Sequence, residues 1–409
     1  MDVEQSGIME TCPHCYPSPP RHLSDKLESI CHFYLTAPLD RLLGSTLASW
    51  QYHIRHGFLH YSEKIRQITF TKDIDRSCLN NSILVIWDEA INRNIDIYNV
   101  QIKGQTTQYF MLQYKGKQYF FNSSPLYLIT QQHRHFCRAE QFDNKDTLKK
   151  MLAQHQLPCP TGRAFISAQR AFAYGMALGF PLVVKPTIAS FSKHTSFPIA
   201  SPDALKKAIR IAKQVNYRIL VEKYISGHAH RVTILNNSII ASTKREAASV
   251  TGDGKKTISQ LIDEKNQHPW RGEPEQLNCT LHKIQKNESV NTTLSKQQLT
   301  FDSIPENGQR IYLATKINNG NGADVTNATP FIHPENRTLF LNIHRLLNIP
   351  LSALDFICAD VSVPWQKQSF GIIENNSLPS IDAHHFPSIG EPMNVAKMLW
   401  DFVLGNLST

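Results

Sequence analysis

Gly371-Ile372-Ile373-Glu374-Asn375-Asn376 decides how this chain is read. Side chains two apart on a strand point to the same face, so an apolar strand here carries the Glu374 carboxylate and the Asn376 amide oxygen side by side. Both are hard oxygen donors, which suit Mg²⁺. An earlier apolar run, Leu351-Ser352-Ala353-Leu354-Asp355-Phe356-Ile357, can pair with it as a hairpin through Pro364-Trp365-Gln366-Lys367. Asp355 then supplies a third ligand. Mg²⁺ is usually held by one or two carboxylates plus substrate phosphates, so this set asks for a nucleotide. A solvated strand edge would carry the same residues, and this stretch alone does not separate the two readings.

The chain of 409 residues is long enough for two or three domains with cores of their own. Its net charge of +9 comes from scattered Lys and Arg, without a basic block or an aromatic–basic RNA signature. A basic cleft for anionic small molecules accounts for the charge, and no nucleic-acid partner is expected. No apolar run approaches the length of a membrane span, and Met1-Asp2-Val3-Glu4-Gln5 lacks the order of a signal peptide. The expectation is a cytoplasmic protein with no membrane partner. The eight cysteines are spread singly apart from Cys12-Pro13-His14-Cys15, a lone pair that is a weak zinc or redox signal. His53, His56 and His60 read as surface histidines, because Gly57 interrupts their shared face.

Residues 1–78 are the least readable and form an N-terminal extension, loose around Pro17, Pro19 and Pro20. Ile83-Leu84-Val85-Ile86-Trp87 reads as a buried strand. A helix near 88–94, a strand near 95–102 and two strands around Lys115-Gly116-Lys117 complete a small sheet domain over 79–140. The next domain, 141–218, opens with a helix to about Gln154. Ser167 caps a helix that ends before Gly179, and Phe180-Pro181-Leu182-Val183-Val184-Lys185-Pro186 is a buried strand. Ser201 and Pro202 start another helix whose Leu205, Ala208, Ile209 and Ala212 form one apolar stripe. Lys206, Arg210 and Lys213 lie off that stripe as a solvated face. The remainder, 219–409, reads as a larger α+β lobe.

Two lysines sit where an anion would satisfy them. Lys185 ends an apolar strand, so it either snorkels at the rim or points into a cleft. Lys145 starts its helix, where the dipole disfavours a cation and favours an anion such as phosphate.

The order of these motifs resembles the ATP-grasp superfamily of carboxylate–amine ligases, and most closely the ATP-grasp domains of cyanophycin synthetase and of bifunctional glutathione synthetases. The resemblance runs from Lys145 through Leu182–Pro186, Val221–Gly227, His230-Arg231-Val232 and Lys244-Arg245-Glu246 to Gly252–Ile258. It continues with Pro269-Trp270-Arg271-Gly272, Thr300–Pro305, Asp324-Val325-Thr326 and His333-Pro334-Glu335, and finishes at Ile373–Asn376 and His384-His385-Phe386-Pro387. It covers about 83–400 in collinear order and leaves 1–78 outside. It implies an ATP-grasp fold of mixed α+β and α/β type: a small sheet domain followed by two α+β lobes, 141–218 and 219–409, that clasp ATP.

By the same resemblance Lys145 and Lys185 hold the α- and β-phosphates, and the hinge Glu222, Lys223, Tyr224 and Ile225 receives adenine through backbone groups. Asp355, Glu374 and Asn376 match the ligands of Mg²⁺, two ions of which the family implies. Arg231 and Arg245 match positions facing the γ-phosphate and an acyl phosphate. The chain also departs from the family. Ser192 and His194 stand where glycines of a phosphate-covering loop are expected, and Lys193 and His194 can compensate with side-chain charge. Ala229 occupies the place of a ribose-gripping acid. Ala314 replaces an arginine, a role open to Lys316 or Arg310, and Asn321 replaces a glycine.

The implied activity is ATP-dependent amide formation between a small-molecule carboxylate and an amine, with phosphoryl transfer governed by positioning and charge neutralisation. A degenerate relative that binds nucleotide or peptide and regulates a partner is the alternative. Neither glutathione nor cyanophycin synthesis is implied, because the partner modules of those enzymes are absent from the chain. A homodimer is compatible with the sequence.

Overall fold

The computed structural model describes residues 12, 22–31, 68–132, 142–188, 193–314, 317 and 322–407. The histidines 53, 56 and 60, together with His14, Cys15, Ser192, Lys316 and Asn321, lie outside them. The chain divides into two compact units. The first holds residues 144–225 and the described residues before 43; the second holds the described residues of 43–143 together with those after 225.

In chain order, helix α1 (His22–Cys31) is followed by strand β1 (Ile68–Thr71), helix α2 (Asn81–Asn92), strands β2 (Ile97–Ile102), β3 (Tyr109–Tyr114) and β4 (Lys117–Asn122), and helix α3 (Leu126–Gln132). β1 to β4 form one antiparallel sheet in that order. The tight turn between β3 and β4 falls where the sequence places it, and Lys115 and Gly116 both have positive φ there.

The run Ile83–Trp87 is a correction: it lies within α2 and not in a strand. Asn80 accepts a hydrogen bond from the Ile83 amide and so starts the helix. A short wholly apolar run has no periodicity to distinguish helix from strand, and here every residue from Ile83 to Trp87 is buried. α2 lies in a core with Phe110, Leu112, Phe121 and the C-terminal helix, where the Trp400 indole donates to the Ile86 carbonyl at 2.9 Å. That core also takes in Leu235, Ile240, Ala241 and Leu351, so the small sheet shares its interior with the large sheet described below.

The first unit contains helix α4 (Lys145–Gln154), strand β5 (Gly162–Phe165), helix α5 (Ala168–Leu178), strands β6 (Leu182–Pro186) and β7 (Ser196–Ile199), helix α6 (Pro202–Lys213) and strand β8 (Ile219–Lys223). The strands pair antiparallel in the order β5-β8-β6-β7. The Ser167 and Ser201 hydroxyls cap α5 and α6, and α5 ends at Gly179 with φ of 77°. Leu205, Ala208, Ile209 and Ala212 are buried against Leu182, Val184 and Val221. Lys213 is not on a solvated face: its ammonium donates to the carbonyls of Ile166 and Tyr217, and burial lowers its pKa. It is the last residue of α6, where a cation can satisfy free carbonyls.

The second unit continues with β9 (His228–Leu235), β10 (Ser238–Glu246), β11 (Asp324–Asn327), helix α7 (Pro334–Leu347), β12 (Leu351–Cys358), β13 (Phe370–Asn376), the short helix α8 (Asp382–His385) and α9 (Val395–Leu407). These strands form an antiparallel sheet in the order β11-β10-β9-β12-β13. One face packs on α7, where Phe340 meets Phe356 with ring centroids 4.7 Å apart and Phe356 meets Phe370 at 5.4 Å. Strand alternation sends Asp355 to the opposite face. Among the described residues no helix is long and apolar enough to cross a membrane.

Candidate active site

In the first unit, Glu222 is the first residue of the hinge and is 2% exposed. Its carboxylate takes Lys185 at 2.6 Å and Lys149 at 3.0 Å. Burial alone would raise its pKa, but the two ammonium groups hold it below the ordinary carboxylate value. Two cations share one carboxylate, so the cluster retains a positive charge. Gly162 makes room for it: a Cβ there would stand 2.4 Å from Glu222 Cβ. Lys149 also donates to the Pro160 carbonyl.

Sequence reasoning passed over Lys149, although it stands four residues after Lys145 and therefore on the same face of α4. Lys145 is buried at the start of α4, with its amide donating to the Thr187 carbonyl at 3.3 Å. The hinge backbone is partly committed. The amide of Lys223 donates to Thr161 at 2.8 Å and that of Tyr224 to Pro181 at 3.1 Å. The Lys223 ammonium caps the Gly179 carbonyl at 2.9 Å, and the Tyr224 ring stacks on Phe197.

Lys193 is half-buried. His194 is a correction to the expectation of side-chain charge offered to phosphate: the residue has no exposed surface, and its ring faces Cys12, His22 and the Ile211 carbonyl.

In the second unit the register places Arg231 on β9 directly opposite Asp355 on β12, and Asp355 opposite Glu374 on β13. Arg231 grips Asp355 in a bidentate pair, Nε to Oδ1 at 2.6 Å and the terminal nitrogen to Oδ2 at 2.8 Å. The Asn376 amide reaches Asp355 Oδ2 at 3.5 Å. The predicted carboxylates and amide thus lie side by side. Asn375 points the other way, fully buried, with its amide donating to Asp143 at 3.2 Å. The oxygen donors fit a hard divalent cation in kind, and a guanidinium now holds the cationic position beside Asp355.

Thr243 of β10 pairs with Arg231, so Arg245, two residues on, joins the same face. The Arg245 Nε is buried and has no hydrogen-bond partner among the described residues. Burial, and then the neighbouring Arg231, lower its pKa to about 10, still fully charged at neutral pH. Asp382 of α8 accepts from Thr280 at 2.7 Å, and burial raises its pKa. His384 reaches the Thr233 hydroxyl at 2.8 Å; burial and the two arginines push its pKa down to about 3, leaving a neutral ring. Thr280, Asp382 and His384 had no assigned role in the sequence reading. Their signal was nearness to the two arginines in space, which spacing along the chain does not display.

Of the substituted positions, Ala229 pairs with Arg245 and Ile357 within the sheet. Ala314 packs at the edge of a separate cluster containing Val250, Ile258 and Ile311. Arg310 does not replace the missing arginine on the Arg231 face. It binds Glu246 at 3.0 Å, and Glu246 alternates with Arg245 onto the other face of β10.

Residues 165–297 match the model of the D-ala D-ala ligase C-terminus. The chain is 31% identical over 266 residues to a cyanophycin synthetase of Trichormus variabilis, covering 64% of this chain and 29% of that protein. It is 31% identical over 268 residues to the glutathione biosynthesis bifunctional protein of Mannheimia succiniciproducens, covering 63% of this chain and 35% of that one. The crystal structure of a bifunctional glutathione synthetase from Pasteurella multocida superposes with a TM-score of 0.59 at 23% identity, over 81% of this chain and 44% of that one. The chain therefore spans less than half the length of these relatives. Sheet register and superposition together show an ATP-grasp fold, and the sequence is similar to the D-ala D-ala ligase C-terminus, to cyanophycin synthetase and to the bifunctional glutathione proteins.

Proposed function

We propose that the chain is an ATP-dependent ligase that joins a small carboxylate to an amine through an acyl phosphate. The observation that carries this reading is the shared face of Arg231, Arg245, Asp355 and Glu374, which combines oxygen ligands with a buried guanidinium lacking a partner at Nε among the described residues. Asp355, Glu374 and Asn376 would hold Mg²⁺, which when bound offsets the charge of the nucleotide phosphates. Lys145 and Lys185 bind phosphate oxygens, with Lys149 and Glu222 setting the position of the Lys185 ammonium. Lys193 adds a cation to the loop after β6. Adenine is read at the hinge Glu222–Ile225 by the Ile225 amide and the hinge carbonyls, since the amides of Lys223 and Tyr224 are taken.

In the reaction a carboxylate oxygen attacks the γ-phosphorus, and the bond to the bridging oxygen breaks to release ADP. The amine nitrogen then attacks the acyl carbon, phosphate leaves, and the nitrogen loses its proton. Arg245 stabilises the anionic acyl phosphate through its Nε–H. Arg231 holds Asp355 in place and adds positive charge. Hydroxylamine in place of the amine should trap the acyl phosphate as a hydroxamate, screened over amino acids, small peptides and other carboxylic acids with Mg²⁺-ATP. Hydroxamate and ADP in equal amounts support the ligase. Nucleotide binding without either product over the whole panel favours the degenerate, regulatory alternative, for which Ala229 and Ala314 are the motivating residues.

A further inference from the structure

Three side chains from distant parts of the sequence converge in the first unit, and none of the three is assigned above to metal or phosphate. Cys12 precedes α1, His22 is the first residue of α1, and His194 closes the loop between β6 and β7. One ligand atom from each lies within 4.8 Å of the others. Cys12 Sγ stands 4.0 Å from His194 Nε2, and the His22 and His194 rings meet edge to face with centroids 4.9 Å apart.

The tautomer of His194 follows from its other nitrogen. Nδ1 lies 2.9 Å from the Ile211 carbonyl, which can only accept, so Nδ1 carries the proton. Nε2 therefore turns a lone pair toward Cys12. A backbone carbonyl that fixes one imidazole nitrogen while the other faces a thiol is the arrangement that orients metal-bound histidines. His194 also holds φ at 52°, a left-handed conformation that a non-glycine residue adopts at a cost unless its side chain is anchored.

We propose that Cys12, His22 and His194 bind Zn²⁺ and thereby fasten the N-terminal segment to the loop after β6. One thiolate and two imidazoles are donors that suit zinc better than magnesium or calcium. Bonds of about 2.3 Å to sulfur and about 2.0 Å to nitrogen place those two atoms roughly 3.5 Å apart around a tetrahedral ion, so a movement of about 0.5 Å closes the pair. Cys15 follows Cys12 at a spacing that zinc sites use, but the proposal needs only the three described ligands. A second tie holds α1 nearby, the Ser29 hydroxyl accepting from the Tyr217 amide at 2.9 Å.

The test is metal content of the full chain after incubation with zinc and removal of loose ions by gel filtration. Mass spectrometry of the metals should find one zinc per wild-type chain, and a large loss of it in Cys12→Ser and in His22→Ala. Both substituted residues are partly exposed, so the variants should keep the wild-type circular dichroism. Cobalt exchanged into the wild type should show a thiolate-to-metal charge-transfer band that Cys12→Ser lacks. A wild-type protein that retains no zinc would overturn the site. So would a folded Cys12→Ser protein that retains both the full zinc content and the cobalt band.

Discussion

Arg231 and Asp355 face each other in register across β9 and β12 and are joined by two hydrogen bonds of 2.6 and 2.8 Å. Burial would lower the Arg231 pKa, yet the Asp355 charge and its hydrogen bonds raise it. The pair is a standing neutralisation of one carboxylate in a set whose other members, Glu374 and Asn376, lie beside it. Arg231→Met leaves two carboxylates on one face with less compensation, and breaking a buried pair this way costs about 3–5 kcal/mol. The freed Asp355 oxygens should then make stability depend on Mg²⁺. Melting curves should show a larger Mg²⁺-induced rise for Arg231→Met than for wild type; equal rises would contradict the shared metal face.

Glu222 predicts a pH signature. Its folded-state pKa is depressed, so its contribution is present above the unfolded carboxylate value, about 4.3, and is lost as pH falls through the folded value. Glu222→Gln leaves Lys185 and Lys149 without their common counter-charge and should cost about 3–5 kcal/mol at pH 7. Denaturant unfolding of both proteins should show this gap narrowing as pH falls below about 4. A gap that stays constant to acid pH would mean that the ion pairs are not its source.

Gly162 and Gly405 make a matched contrast. A Cβ at Gly162 would approach Glu222 Cβ at 2.4 Å and the Val221 carbonyl oxygen at 2.5 Å, so β5 and β8 must separate. Gly162→Ala should cost about 1–3 kcal/mol and weaken nucleotide binding. Gly405 lies in α9 with nothing within 4 Å of the same atom, and Gly405→Ala should stabilise by about 0.5–1 kcal/mol. Parallel unfolding titrations check both signs.

The hairpin of β12 and β13 was legible because period-two alternation places Glu374 and Asn376 together and the turn sequence brings Asp355 beside them. The caps at Ser167 and Ser201 were legible because a hydroxyl before an apolar stripe has a local function. Ile83–Trp87 was not, since a run buried on every side carries no period and only its cap at Asn80 marks a helix. Lys149 had no role in the sequence reading and Lys213 read as a solvated cation; their partners, Glu222 and the carbonyls of Ile166 and Tyr217, include tertiary neighbours that no local pattern encodes. His194 was misread for the same reason, its charge being judged by the loop while its surroundings come from residues 12, 22 and 211.

The central claim, that Glu374 belongs to a site for Mg²⁺-nucleotide, is tested most directly by calorimetry of ADP binding with and without Mg²⁺. The wild type should bind ADP at least about tenfold more tightly with Mg²⁺, equivalent to about 1.4 kcal/mol. Glu374→Ala should lose that enhancement while keeping its Mg²⁺-free affinity, which rests on Lys145 and Lys185. An enhancement of the same size in Glu374→Ala, or no ADP binding by the wild type, would contradict the account.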